Sequence, residues 1–84
     1  MTNEEVKLKF PIGKLYQINF GKYDKTFEAY INNKTVTLPS RETVFLMLDI
    51  KCHGKYCKIT ALFASGQVGT ISYLYPNEIK MLKQ

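Results

Sequence analysis

The sequence predicts an all-β fold, a small barrel of five to six strands. Residues 43–83 alternate β-rich runs with tight turns, at the close spacing that a small, strongly bent sheet needs. No window of a dozen residues has the apolar period of an amphipathic helix. The length of 84 residues suits one hydrophobic core, so residues 1–84 are predicted to form a single domain.

The first half supplies four candidate strands. Val6, Leu8 and Phe10 alternate with lysines, which predicts a half-buried strand. Asn32-Asn33 predicts a tight turn, because asparagine tolerates a left-handed backbone. The other β-prone runs of this half are residues 15–20, 26–31 and 35–38.

Three turns divide the second half into strands. Gly54-Lys55 is predicted to form a two-residue hairpin turn, in which glycine supplies the positive φ. Residues 64–67 are predicted to form the next turn, and a turn that contains Pro76 precedes the last strand. The predicted strands are residues 43–52, 57–63, 68–72 and 78–82.

The strand at residues 43–52 is apolar on both of its faces. Because side chains alternate along a strand, Phe45 and Met47 share one face, and the other carries Val44, Leu46, Leu48 and Ile50. Such a strand needs cover on two sides. Either the early loop of the chain covers Phe45 and Met47, or these two side chains contact a partner.

The pattern of residues 59–82 resembles the later strands of SH3-like barrels. In that family a hairpin with a glycine-bearing tip, here Gly66, precedes a short strand, here Gly69-Thr70-Ile71, and a single 3₁₀ turn. The resemblance implies an SH3-like barrel that works by binding, with one short 3₁₀ turn near the C-terminus, at residues 73–77. It does not extend to the groove for Pro-rich peptides, because the chain has no Trp and Ser72 stands where the family has Pro.

The composition is that of a basic protein. The chain has 12 Lys and Arg against 7 Asp and Glu, a net charge of +5, and eleven of the twelve basic residues are Lys. This balance favours acidic partners such as nucleic acid, held by general attraction more than by base readout. No apolar run approaches the ~18 residues of a membrane span, and the N-terminal residues are acidic and polar. We therefore expect a cytoplasmic protein that contacts no membrane.

Two clusters of lysines predict a nucleic-acid interface. In the first, lysines interleave with aromatic rings as in single-strand binders, at Lys14, Tyr16, Lys22, Tyr23 and Lys25. The second cluster surrounds the predicted hairpin tip and consists of Lys51, Lys55 and Lys58. The alternative is that the rings fill the core and the lysines protect sheet edges from aggregation.

The two cysteines flank the predicted Gly54-Lys55 turn. Cys52 and Cys57 then face each other at a non-hydrogen-bonded position, where Cα atoms about 4.5 Å apart permit a disulfide. A reducing cytoplasm favours free thiols instead, so both states stay open. His53 adds a third metal-ligand type, but zinc needs four ligands and the chain has no third Cys and no second His. We therefore expect no metal.

No set of residues predicts catalysis. His53 is the only histidine, and it lies at a hairpin tip where no pocket is expected. Phosphate-loop and dinucleotide motifs are absent, so we expect no enzyme activity and no cofactor. A short chain rich in Lys, Asn, Ile and Tyr, without catalytic residues, resembles accessory proteins of phages and mobile elements, which often bind a host or virion protein.

The sequence thus predicts a small binding module, either a monomer or a homodimer. A protein partner is the first expectation, and binding of single-stranded nucleic acid or RNA through Lys and aromatic residues is the alternative. The predicted protein contacts are Tyr16, Tyr23, Phe45, Met47 and Tyr73.

Overall fold

Seven antiparallel strands form one sheet that curls into half a barrel in the computed structural model, which describes residues 2–20 and 26–83. A helix, α1 (Asn3–Lys9), precedes the sheet, and a 3₁₀ turn (Pro76–Glu78) precedes its last strand. The strands are β1 (Leu15–Ile18), β2 (Thr26–Ile31), β3 (Lys34–Pro39), β4 (Phe45–His53), β5 (Tyr56–Phe63), β6 (Val68–Leu74) and β7 (Ile79–Met81).

The strand order is β3-β2-β6-β5-β4-β1-β7, so β3 and β7 are the two edges of the described sheet. The all-β class and the 3₁₀ turn are confirmed, but the strand count exceeds the predicted five to six. β1 pairs with both β4 and β7, so these two short strands extend the sheet beyond the long β4–β5–β6 meander.

The strand predicted around Val6, Leu8 and Phe10 is wrong, since this segment is α1. Thr2 caps the helix, because its Oγ1 accepts a hydrogen bond from the Glu5 amide at 3.1 Å and the Glu5 carboxylate reaches back to the Thr2 amide. Val6 and Phe10, four residues apart, both face the core, whereas Leu8 is 82% exposed. The alternation with lysines was therefore coincidental, and the helical spacing of two apolar residues is what the fold uses.

Short-range signals placed the hairpins correctly. The Asn32-Asn33 turn between β2 and β3 is confirmed, with φ of 52° and 63°. The two-residue turn at Gly54-Lys55 between β4 and β5 is confirmed as well, and Gly54 has a φ of 60°. Both turns depend on residues that reach positive φ at low cost.

A β-bulge in β4 decides which of its side chains reach the core. The register with β5 shifts between Met47 and Asp49, so Leu48 is an extra residue without a partner. As a result Ile50 joins Phe45 and Met47 on the buried face, where strict alternation had placed it on the opposite face. The segment before β1 covers this strand, with the Gly13 amide bonded to the Met47 carbonyl at 2.9 Å.

Gly69 lies where β2 pairs with β6, and the two strands are close together at this point. A Cβ at this position would lie 2.6 Å from Ile31 Cγ1 and 3.0 Å from the Tyr30 carbonyl oxygen. We expect Gly69→Ala to lower the free energy of unfolding by about 1–3 kcal/mol, because the added methyl overpacks the junction. Urea denaturation followed by circular dichroism measures the change.

The matched control is Gly66→Ala in the β5–β6 turn. There the added methyl meets nothing within 4 Å, and only the backbone at φ +86° resists the change, which costs about 1 kcal/mol. A Gly69→Ala protein as stable as the parent would contradict the close approach of β2 and β6.

Candidate binding surface

Three of the five residues predicted to contact a protein partner are core residues. Tyr16, Phe45 and Met47 are each at most 1% exposed, whereas Tyr73 is 81% exposed. Tyr23 lies outside the described residues. For Phe45 and Met47 the structure supports internal cover, and it gives a partner no access to their side chains.

Tyr16 was expected on the outside, and its burial has a clear physical reason. Its hydroxyl donates a hydrogen bond to the Pro11 carbonyl at 2.8 Å, so the polar end of the ring is satisfied within the fold. The ring packs between Phe10 and Phe45, with centroid separations of 6.2 and 6.3 Å. Burial raises the pKa of the Tyr16 hydroxyl above its ordinary value, because the phenolate would lose its solvation.

Tyr73 belongs to a group of three tyrosines, here called the tyrosine cluster, formed with Tyr56 and Tyr75. The Tyr56 ring lies 6.0 Å from Tyr73 edge-on and 5.0 Å from Tyr75. The Tyr75 and Tyr56 hydroxyls are hydrogen-bonded at 3.3 Å, and the pKa of Tyr56 is raised above its ordinary value because this hydrogen bond favours its neutral phenol. All three side chains remain at least 37% exposed, so the sheet presents a connected aromatic surface to solvent.

The backbone at Tyr73 is in the left-handed region, with a φ of 61°. The register between β5 and β6 shifts here, so that Ser72 and Tyr73 together lie opposite Lys58 alone. Bulges of this kind favour glycine where φ is positive, and a bulky aromatic residue there is uncommon. The chain therefore keeps a large exposed ring at a position where the backbone resists it.

A hollow of about 300 Å³ opens beside the tyrosine cluster. It is bounded by the end of the β4–β5 hairpin and by the bulge of β6. The residues that line it are His53, Tyr56, Cys57, Lys58, Ser72 and Tyr73. Its walls thus combine aromatic rings with a cationic amine and a hydroxyl, which suits a polar or acidic side chain with an apolar part.

The hairpin-tip lysines lie next to the tyrosine cluster. Lys55 Nζ is 5.7 Å from the centroid of the Tyr56 ring, within the range of a cation–π contact. Lys51 pairs directly with Lys58 across β4 and β5, and both are exposed. Like charges directly opposite on a sheet are destabilising, so this pair favours an anion above it.

Lys14, the one lysine of the first cluster among the described residues, does not line this surface. Lys14 is exposed in the segment before β1, where its carbonyl accepts a hydrogen bond from the Met47 amide at 3.0 Å. Lys22 and Lys25 lie outside the described residues. Among the described lysines of the two clusters, those of the hairpin tip therefore carry the candidate surface.

The two cysteines close the hairpin that carries Lys55 and Tyr56. Cys52 and Cys57 are register partners, with Cα atoms 4.0 Å apart, and their sulfurs are joined as a disulfide. Asn3 of α1 also accepts a hydrogen bond from the Cys52 amide at 3.2 Å. These contacts hold the base of the hairpin in place, so the tip residues keep a fixed position relative to β6.

Among residues 2–20 and 26–83, no group of three His, Cys, Asp or Glu side chains is placed to hold a metal ion. No helix in this part of the chain has the length and apolar character required to cross a membrane.

Sequence reasoning missed Tyr56 and Tyr75 as members of the surface. A signal for Tyr75 was present, since Tyr73 and Tyr75 flank Leu74 with the period of a strand, and Leu74 is the buried one. No local signal joins Tyr56 to them, because the contact depends on the pairing of β5 with β6.

No protein-family model, curated protein or solved structure matches the chain. The surface therefore has to be interpreted from its own geometry.

Tyr16→Phe tests the buried hydrogen bond to Pro11. We expect the free energy of unfolding at pH 7 to fall by about 0.5–1.5 kcal/mol, since one carbonyl loses its partner. Because the fold favours the neutral phenol, the contribution of Tyr16 is complete below pH 10 and is lost as pH rises beyond it. Urea denaturation at pH 7 and above pH 10 should show a shallower alkaline decline in the variant.

Tyr30→Phe is the control for that measurement, because Tyr30 is 54% exposed and its hydroxyl is not held in the core. It should leave the free energy of unfolding at pH 7 unchanged. The stabilising role of the Tyr16 hydrogen bond would be contradicted if Tyr16→Phe and Tyr30→Phe changed the free energy of unfolding by the same amount.

Proposed function

We propose that this protein is a small, non-enzymatic binding module that holds a protein partner through the tyrosine cluster. The observation that carries the proposal is Tyr73, an 81% exposed aromatic ring on a backbone with φ of 61°. A left-handed conformation costs a non-glycine residue about 1–2 kcal/mol. Such strain persists in proteins mainly where a function needs the side chain that causes it.

A protein partner suits the composition of the surface. Tyrosine is enriched at protein interfaces and among the residues that dominate their affinity, because it combines a large apolar ring with a hydroxyl. Tyr56 contacts the Tyr73 ring edge-on and is itself contacted by Tyr75, and both Tyr56 and Tyr73 line the hollow of about 300 Å³. A partner side chain in the hollow would contact Tyr73 and Lys58 together.

The charge around the cluster indicates the kind of partner. Lys51, Lys55 and Lys58 surround it, and the chain as a whole has a net charge of +5. An acidic segment of the partner would be attracted to this surface and would relieve the repulsion between Lys51 and Lys58. We place the protein among accessory proteins of phages or mobile elements, acting on a host or virion protein.

The proposed frame is an SH3-like barrel. The supporting pattern is the β5–β6 hairpin with Gly66 at its tip, followed by the 3₁₀ turn at Pro76–Glu78 and the short strand β7. The binding surface proposed here lies at the far end of β5 from that tip, on the tyrosine cluster. It therefore does not depend on a groove for Pro-rich peptides.

The non-enzymatic character rests on the chemistry around the hollow. His53 and Ser72 both line it, but no hydrogen bond joins them among the described residues, and Cys57 is bonded to Cys52. A nucleophile needs a base within hydrogen-bond reach. We therefore propose recognition and no turnover at this site.

Tyr73→Gly separates function from stability. Glycine adopts positive φ without strain, so we expect the free energy of unfolding to stay the same or to rise by up to about 1 kcal/mol. Binding should weaken at least about tenfold, because the exposed ring is lost. Affinity capture from a host lysate identifies the partner, and calorimetric titration of the purified pair gives the affinity.

Leu8→Ser is the control, since Leu8 is 82% exposed on α1 and lies outside the tyrosine cluster. It removes an exposed apolar side chain without reducing the affinity for the partner. The proposal fails if Tyr73→Gly binds the partner as tightly as the parent protein.

A second candidate function is binding of single-stranded nucleic acid, favoured by the direct pairing of Lys51 with Lys58. A phosphate above this pair would neutralise two opposed cations. The exposed rings of Tyr56 and Tyr73 would then stack against bases, as in other single-strand binders.

Lys58→Glu tests this second function. The new carboxylate opposite Lys51 should raise the free energy of unfolding by about 0.2–1 kcal/mol. At the same time it should abolish binding of a labelled single-stranded oligonucleotide, measured by fluorescence anisotropy at low salt. Lys80→Glu makes the same change of charge on β7, away from the cluster, and should have a smaller effect.

Salt distinguishes the two functions. Affinity for an oligonucleotide should fall steeply as salt rises, whereas a protein complex built on aromatic contacts should persist. If the parent protein shows no oligonucleotide binding at low salt, the second function is excluded.

A further inference from the structure

The edge strand β3 has backbone groups that no strand of the described sheet uses. The two-residue turn makes Ile31 and Lys34 a hydrogen-bonded pair, and such pairs alternate along the β2–β3 hairpin. Thr35 and Thr37 therefore occupy non-hydrogen-bonded positions toward β2, and their amides and carbonyls point away from the sheet. They form the free edge of β3.

This free edge is short because both of its ends are blocked. Pro39 has no amide hydrogen, and its carbonyl accepts hydrogen bonds from the Thr43 amide at 3.1 Å and the Thr43 hydroxyl at 2.6 Å. Lys34, at the other end, carries the kind of charge that discourages strand addition. Only an edge of similar length can pair with β3 without leaving some of its own backbone groups unpaired.

We propose that the free edge of β3 pairs with the same edge of a second copy of this chain. An antiparallel arrangement about a two-fold axis at Val36 places Thr35 opposite Thr37 of the second copy, and Thr37 opposite its Thr35. Both pairs are hydrogen-bonded, so all four free backbone groups of each edge are used. This inference does not rest on the proposed function.

The side chains agree with that register. Threonine opposite threonine is a favourable cross-strand pair, and Val36 would lie opposite Val36 of the second copy. Lys34 would lie opposite Leu38, so no like charges oppose each other directly.

The other face of β3 gives the second copy an apolar contact. Val36 and Leu38 are half-buried and border a hollow of about 320 Å³, whose other apolar walls include Val44 and Phe63. Val36 of the second copy would extend the cover over the mouth of this hollow. Tyr73 lines a hollow of about 220 Å³ together with Thr35 of β3, so a second copy on this edge would lie close to the tyrosine cluster.

Two paired residues per edge make a small interface, below the ~1,200 Å² of stable complexes. We therefore expect a weak dimer, with a Kd on the order of 10–100 µM. Sedimentation equilibrium of the full chain from about 5 µM to 1 mM should show an average mass that rises from 9.7 kDa toward twice this value.

Thr37→Pro removes one of the two free amides and leaves the ladder to β2 intact, because Thr37 does not donate to β2. This variant should stay monomeric at every concentration, with an unchanged circular-dichroism spectrum. Thr37→Ala keeps the amide and is the matched control, which should still dimerise. A parent chain that is monomeric at 1 mM overturns the proposal, as does a dimer that Thr37→Pro leaves unaffected.

A cysteine scan tests the register without relying on a proline. Val36 is non-hydrogen-bonded toward its copy, where Cα atoms about 4.5 Å apart permit a disulfide. Val36→Cys should form a covalent dimer with oxidised glutathione, which accepts the electrons of the two thiols, and peptide mapping should find residue 36 linked to residue 36. Leu38→Cys should not crosslink to itself. Equal crosslinking of the two variants overturns the two-fold axis at Val36.

Discussion

The close contact between β2 and β6 at Gly69 is the constraint on which the rest of the sheet depends. Only two residue pairs, Tyr30 with Thr70 and Ile31 with Gly69, join the β2–β3 hairpin to the other five strands. The backbone at Gly69 lies against Ile31 and Phe63 without a side chain of its own. The hairpin can therefore approach β6 closely and bend inward, which curls the sheet around its core.

Two bulges then decide which side chains leave that core. Leu48 in β4 shifts the phase of the strand, so Ile50 is buried with Met47 and the charged side chain of Lys51 faces out. The irregularity at Ser72 and Tyr73 does the same in β6, and it turns the Tyr73 ring toward Tyr56. The candidate surface thus depends on strand register, because the register brings together residues from three separate segments of the chain.

Sequence reasoning located the features that depend on neighbouring residues. The Asn32-Asn33 and Gly54-Lys55 turns, the strands beside them and the register of Cys52 with Cys57 all follow from local backbone preferences. Helix α1 was missed because seven residues give too little periodicity, although Thr2 and Glu5 carried a capping-box signal. The burial of Tyr16 and the assembly of the tyrosine cluster were out of reach, because both depend on strand pairings between distant residues.

The unequal lengths of the two sheet edges have a consequence for polymerisation. A contact between β3 of one molecule and β7 of the next would be head-to-tail, and repeated contacts of this type build open filaments. β7 has three residues, and the chain beyond it returns to β1 through a 2.9 Å hydrogen bond from the Leu82 amide to the Leu15 carbonyl. So short an edge offers little template for growth. A protein with this sheet should form no filaments at high concentration, even though one of its edges is open.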